Sequence, residues 1–184
     1  MEANIRDLIV IQQEVNKKIR EKLDNPPEGE DFLLAFNVEL FEFLNAVGTW
    51  KWWKHNHVIN REKILDELAD CFAFFLSAID YENELSLFSG KPAIIDSIED
   101  EINEVIGHLE KFKKSSDAQM EDIVNDLILY IGTDNEIEPI LTVERFSIAI
   151  FIVSILFDDI TWEEISNAYK EKSKINIQRQ VENY

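Results

Sequence analysis

The chain has 184 residues, with 37 acids against 18 Lys and Arg and a formal net charge of −19, a balance that excludes sequence-independent binding to nucleic-acid phosphate, because that affinity rests on Lys and Arg. The length suits one domain over 1–184, able to bury most of its apolar surface. With 5 Gly, 4 Pro, no Gly-rich or Ser-rich linker and many segments of helical period, the expected fold class is all-α, a helical bundle.

In chain order, the first predicted helix runs from about Ile5 to Leu23 and ends at Asn25-Pro26-Pro27. Its start, MEANIRDLIVIQQEV, lacks the basic start and uninterrupted apolar region of a signal peptide, so export is not expected. Gln13 and Asn16 lie one turn apart; their amides suit the hydrogen-bonding edge of a pyrimidine, and plain solvent exposure is the competing account. An acidic turn from Glu28 to Asp31 opens a second helix, DFLLAFNVELFEFLNAV, with Glu39 and Glu42 set among apolar residues.

The connection Thr49 to His57 holds three of the four tryptophans. Trp50 to Lys54 mixes aromatic faces with cations, a combination that stacks a base and touches phosphate, or that packs in a core or an interface. His55 and His57 are too few for a zinc site without further ligands, and no Glu-x-x-His occurs. Asn60 is placed to cap a third helix, ILDELADCFAFFLSAID, which carries Glu67 and Asp70. Cys71 cannot form an intrachain disulfide; its apolar neighbours make it a small core residue, and a reducing cytoplasm is the expected compartment.

Acids three apart share one face of a helix, so each couple presents two carboxylates. About seven such pairs arise by chance at this acid content, so the context must carry the claim. Both helices are apolar nearly all round and are expected to be buried, which brings Glu39, Glu42, Glu67 and Asp70 together in the core. Buried carboxylates repel one another and call for a cation. Oxygen ligands without Cys or His favour a hard ion, Mg²⁺.

After Tyr81 the sequence is more polar, and the stretch 82–141 is expected to be a peripheral helical insertion. Within it a Ser89-Gly90-Lys91-Pro92 break precedes helices from about Ala93 to Lys114 and from Asp117 to Ile131. Past a break from Gly132 to Pro139, an apolar helix is expected from Val143 to Phe157. Its longest apolar run, twelve residues, falls short of the ~20 that cross a bilayer, so no membrane partner is expected. Thr161 and Glu164 form a capping box for a last helix. There Lys170, Lys172, Lys174 and Arg179 face one acid, Glu171; such a patch reaches polyphosphate, or simply complements a helix C-terminus. No P-loop, dinucleotide-binding glycine turn or hydrolase elbow is present, which leaves metal-assisted phosphoanhydride hydrolysis.

The Glu-x-x-Glu and Glu-x-x-Asp couples, separated by 24 residues between Glu42 and Glu67, resemble the all-α nucleoside triphosphate pyrophosphatases. ELFEFLNAVGTWKWWK, DELADCFAFFLSAI and the tail KSKINIQRQVENY, with a weaker echo in IQQEVN, are closest to the dimeric dUTPases, in their phage and Gram-positive branch. The resemblance implies a homodimer that hydrolyses dUTP to dUMP and pyrophosphate using two or more Mg²⁺, with dUDP as a further candidate substrate. It makes Glu39, Glu42, Glu67 and Asp70 the ligands and Glu42 also the group that orients or deprotonates water. It sets Lys172 and Arg179 near the phosphates, and Gln13, Asn16, Trp50 and Asn176 around the deoxyuridine, with Lys54 beside Trp50. Ser173 stands where the family often has Asn, and the family's Gly before the final Tyr is absent at Tyr184.

Two other readings stand beside this one. The same scaffold serves dCTP hydrolysis or a broad MazG-type activity, because an acidic cluster handles phosphates without reading the base. A helical dimer acting as a regulatory binding module would use its acids only for solubility.

Overall fold

The computed structural model describes residues 2–54, 58–90, 94–115, 120–133 and 139–182. The expectations concerning His55, His57 and Tyr184 lie outside them. The described residues form seven α-helices and no strand: α1 (Arg6–Arg20), α2 (Gly29–Val47), α3 (Arg61–Phe88), α4 (Ile95–Ser115), α5 (Met120–Thr133), α6 (Pro139–Leu156) and α7 (Trp162–Val181). The expected all-α class is the observed one.

The long central helix α3 packs against α1, α2, α6 and α7, while α4 and α5 lie on α6. Ring pairs Phe32–Tyr81 and Phe36–Phe75 run in opposite directions along α2 and α3, so the two acidic helices are antiparallel. Helices α1 and α7 run parallel to α3, as the pairs Asn16–Asp80 and Arg20–Glu84, and Arg61–Glu164 and Asp70–Lys172, require. The core is aromatic where these helices meet. Phe75 stacks on Phe146 at 4.4 Å, and Phe72 touches Phe146, Tyr169 and Trp162 at centroid distances of 4.7, 5.0 and 5.6 Å.

Local signals account for several helix ends. Glu28 and Asp31 cap α2 reciprocally, and Gly48 ends it at φ 66°, a left-handed conformation that costs glycine little. Asn60 accepts from the Lys63 N–H as expected. Thr161 accepts from the Glu164 N–H, but only half of the expected box forms, because the Glu164 carboxylate turns to Arg61. Helix α1 stops at Arg20 rather than Leu23, where the backbone tightens into i to i+3 bonds at Lys22 and Leu23. Helix α6 starts a turn earlier than Val143, at Pro139, whose fixed φ suits a first helical position.

One expectation about burial changes. Helix α2 is not covered all round: Leu34, Val38 and Phe41, spaced four and three residues apart, are 66, 49 and 47 % exposed, because α3 covers only the opposite face. In the stretch 82–141, Ile98, Ile102, Ile106, Val124 and Leu127 join the same continuous core as α2 and α3. There Asn103 exchanges hydrogen bonds with the backbone of Ala3, and Glu99 accepts from the Ile5 N–H. No helix among the described residues is long and apolar enough to cross a membrane.

Candidate active site

The antiparallel pairing of α2 and α3 brings Glu39 opposite Glu67 and Asp70. One carboxylate oxygen of each lies within 4.8 Å of the others, and all three side chains are half-buried rather than sealed in the core. Glu42, one turn on from Glu39, is exposed and outside this trio, so three of the four expected carboxylates converge. Its charge still reaches them and raises the pKa of Glu39 and of Glu67.

The trio carries the electrostatic strain expected of crowded acids. Burial, then Asp70, Glu42 and Glu67, push the Glu39 carboxyl up to about 7. Burial also raises Glu67 and Asp70; Lys63 opposes the first, and Lys172 the second. The Lys172 ammonium stands 2.7 Å from Asp70 Oδ2 and 2.9 Å from Asp66 Oδ1. Asn176 and Arg179 follow Lys172 on the same face of α7, four and seven residues on. Arg179 is exposed, and its charge lowers the pKa of Asp70. Cys71 is fully buried beside this group, and its thiol is pushed well up by burial and then by Glu39, Asp70 and Glu67.

Between α1 and α3 a cleft of about 470 Å³ is lined by Gln13, Asn16, Lys17, Arg20, Asp80 and Glu84, among others. Both amides singled out from the sequence are there, Asn16 buried and Gln13 exposed. Gln13 Nε2 donates to Asp80 Oδ1 at 2.8 Å and Asn16 Nδ2 to Asp80 Oδ2 at 3.1 Å. Trp50 and Lys54 lie elsewhere, beyond the end of α2. Trp50 lines a small cleft of about 180 Å³ with Thr49, Trp52, Val124 and Asn125. Trp52 and Trp53 are 83 and 49 % exposed and meet edge to face, not packed in a core. Among the described residues no hydrogen bond or ion pair joins the Trp50 or Lys54 side chain to the acidic trio.

Several residues that shape these sites went unread in the sequence. Gln12, Ser77, Asp80 and Tyr169 form a buried hydrogen-bonded run behind Gln13 and Asn16. A signal was available: Gln12 interrupts the buried stripe Ile5, Leu8, Val15, and Asp80 follows Ala69, Ala73 and Leu76 at core spacing. Arg61 was also missed; it grips Glu164 through Nε and Nη2 at 2.8 and 2.6 Å, and Asp159 through Nη1 at 2.7 Å.

The donor set fits a divalent cation of the Mg²⁺ class. The three converging donors are carboxylates on helices, and burial and then neighbouring acids raise their pKa, as in an unneutralised anionic site. No match is found among curated proteins. The sequence model of a family described as dUTPase matches residues 4–184, including the stretch 82–141 that carried no legible motif. The chain therefore belongs to the all-α dUTPase family, and it is a hydrolase, a dUTP diphosphatase.

Proposed function

We propose that the chain hydrolyses dUTP to dUMP and pyrophosphate with two or more Mg²⁺ held by Glu39, Glu67 and Asp70. The observation that carries this is the convergence of three carboxylate oxygens within 4.8 Å, with Glu39 pushed up to about 7. When bound, the cations supply positive charge against the triphosphate and lower the pKa of water. Glu42 is exposed beside the trio and makes no hydrogen bond or ion pair among the described residues. It is the carboxylate assigned to orient and deprotonate the water that attacks phosphorus. Lys172 and Arg179, from α7, neutralise phosphate oxygens, Lys as a point charge and Arg as a planar fork.

Gln13, Asn16 and Asn176 read the base and sugar from the α1 and α7 side. Trp50 and Lys54, beyond the end of α2 and without a hydrogen bond or ion pair to the trio among the described residues, serve the site through the partner subunit of a homodimer or through closure on substrate. The exposed Leu34, Val38 and Phe41 stripe supports dimerisation, because an apolar helix face of this kind is stable when a second copy covers it. Buried, unpaired Cys71 suits a reducing cytoplasm.

The test is pyrophosphate release from dUTP, dCTP, dTTP and the ribonucleotides, with Mg²⁺ or EDTA, for the native chain, Glu42→Gln and Glu67→Gln. Selective dUTP turnover that needs Mg²⁺ and is lost in both variants supports the proposal. Equal turnover of dCTP moves the chain to a broad activity. Full turnover in EDTA overturns the metal role.

A further inference from the structure

Asp80 lies on α3, ten residues beyond Asp70, and is only 2 % exposed. Both of its oxygens are spent on the two amides of the cleft, Gln13 and Asn16. A carboxylate only accepts hydrogen bonds, so each amide must turn its NH₂ group toward it. The other end of the run has the same polarity. The Tyr169 hydroxyl donates to Gln12 Oε1 at 2.9 Å, and Gln12 Nε2 then donates to Asn16 Oδ1 and to Ser77 Oγ, each at 2.9 Å. Reversing the Asn16 amide would set N–H against N–H at Gln12 and oxygen against oxygen at Asp80, leaving buried polar atoms without partners.

We propose that Asp80 is a positioning residue that locks the Gln13 and Asn16 amides in one orientation, and that this lock makes the site accept uracil and refuse cytosine. The inference rests on the assignment of these two amides to the base and deepens it.

The physical argument concerns the flip of a side-chain amide. Uracil presents N3–H, a donor, between two carbonyl oxygens; cytosine presents N3 as an acceptor beside an amine donor. An unrestrained amide turns through 180° and matches either edge. Gln13 is not unrestrained: with one N–H of Nε2 on Asp80, the acceptor left for a ligand is Oε1, which has no partner among the described residues. That acceptor pairs with N3–H of uracil and opposes the lone pair on N3 of cytosine. A site whose polar groups are fixed in this way rejects the mismatched analogue, because the mismatch leaves them unpaired.

Asp80→Asn tests the lock with almost no change in shape. An amide at position 80 donates as well as accepts, which frees Gln13 to turn. The expected result is a dUTP to dCTP ratio of kcat/KM that falls roughly tenfold to a hundredfold, the effect of one buried polar contact left unpaired, mainly through a gain for dCTP. A merely structural role would depress both nucleotides alike; an unchanged ratio in a folded variant, beside a native chain that prefers dUTP, overturns the lock and leaves the proposed function standing. A native chain without preference for dUTP over dCTP overturns the base assignment and the lock together. Should Asp80→Asn not fold, nitrogen NMR of the native Gln13 side-chain amide, assigned by its loss in Gln13→Glu, decides. A rigid, slowly exchanging NH₂ supports the lock, and a freely averaging one overturns it.

Discussion

Lys172 and Asp70 form the shortest ion pair at the acidic site, 2.7 Å from Nζ to Oδ2. They come from helices whose sequence positions are about a hundred residues apart, so the tail of the chain supplies a cation to the carboxylate trio. Burial works to lower the Lys172 pKa, and its hydrogen bonds to Asp70 and Asp66 outweigh that and raise it.

Lys172→Met should therefore weaken the metal-free protein. It leaves Asp70, largely out of water, without its partner, and the expected loss is about 1–2 kcal/mol, less than for a fully buried pair because Asp66 stays wet. Urea unfolding in EDTA measures it. The same variant should raise KM for dUTP about tenfold if one phosphate contact is lost. Native stability and native KM together would reduce Lys172 to a surface ion pair.

Glu39 and Glu42 differ in exposure, and their variants should separate binding from chemistry. Glu39→Gln removes one of the three converging carboxylates, so Mg²⁺ affinity measured by calorimetry should fall by about tenfold or more. Glu42→Gln should leave that affinity within about threefold while turnover falls by about a hundredfold or more, as expected when a general base is removed. Substantial turnover in Glu42→Gln would take this residue out of the reaction.

The Glu39 carboxyl predicts a pH effect with a definite sign. Its folded value of about 7 lies above the ordinary 4.5, so the folded chain holds this proton more tightly than the unfolded chain does. That contribution is complete below pH 4.5 and disappears as pH rises through 7. In EDTA the unfolding free energy should drop across this window, by on the order of 1 kcal/mol once solvent screening of a half-exposed group is discounted, and the melting temperature should fall with it. The drop should shrink in Glu39→Gln. Added Mg²⁺ should stabilise more at pH 8 than at pH 5.5, since protons and cation compete for the same oxygens. A flat melting profile in EDTA would contradict this account.

What the sequence revealed follows from periodicity. Helical spacing is local, so the acidic couples, the Asn60 cap and the turn at Glu28 to Asp31 could be read directly. The same spacing does not say which face of α2 meets which face of α3, and for that reason it could not show that Glu39 is half-buried against Glu67 and Asp70 while Glu42 is exposed beside them. Trp52 and Trp53 were weighed as packed residues on composition alone, whereas their exposure depends on how the segment after Gly48 leaves α2. Asp80 and Gln12 were passed over because their partners come from α1, α3 and α7 at once, pairings that no single window of sequence contains.

Arg61 ties the starts of α3 and α7 together and also covers the Phe157 ring, 4.9 Å from its centroid. Its hydrogen bonds hold Asp159 and Glu164 below their ordinary carboxylate values. A depressed folded pKa contributes stability above the ordinary range of these acids, and that contribution is lost as pH falls through the folded values. Arg61→Ala should therefore melt below the native chain at pH 7, with the gap closing under pH 4. Because the bridge sets the register of α7 on α3, the variant should also loosen the Lys172 to Asp70 contact and raise KM for dUTP. A melting gap independent of pH would assign the Arg61 effect to packing on Phe157 instead.

The open face of α2 yields the last test. Leu34, Val38 and Phe41 present an apolar stripe on the side of α2 away from α3, and a −19 charge gives like chains every electrostatic reason to stay apart unless apolar burial outweighs it. Light scattering of the native chain at micromolar concentration should give twice the 21.5 kDa mass of one chain. Val38→Glu sets a carboxylate in the middle of the stripe and should shift the protein to monomer, while Val10→Glu, on an exposed position of α1, should not. A native monomer, or a Val38→Glu dimer as stable as the native one, would mean that this face is not where two copies meet.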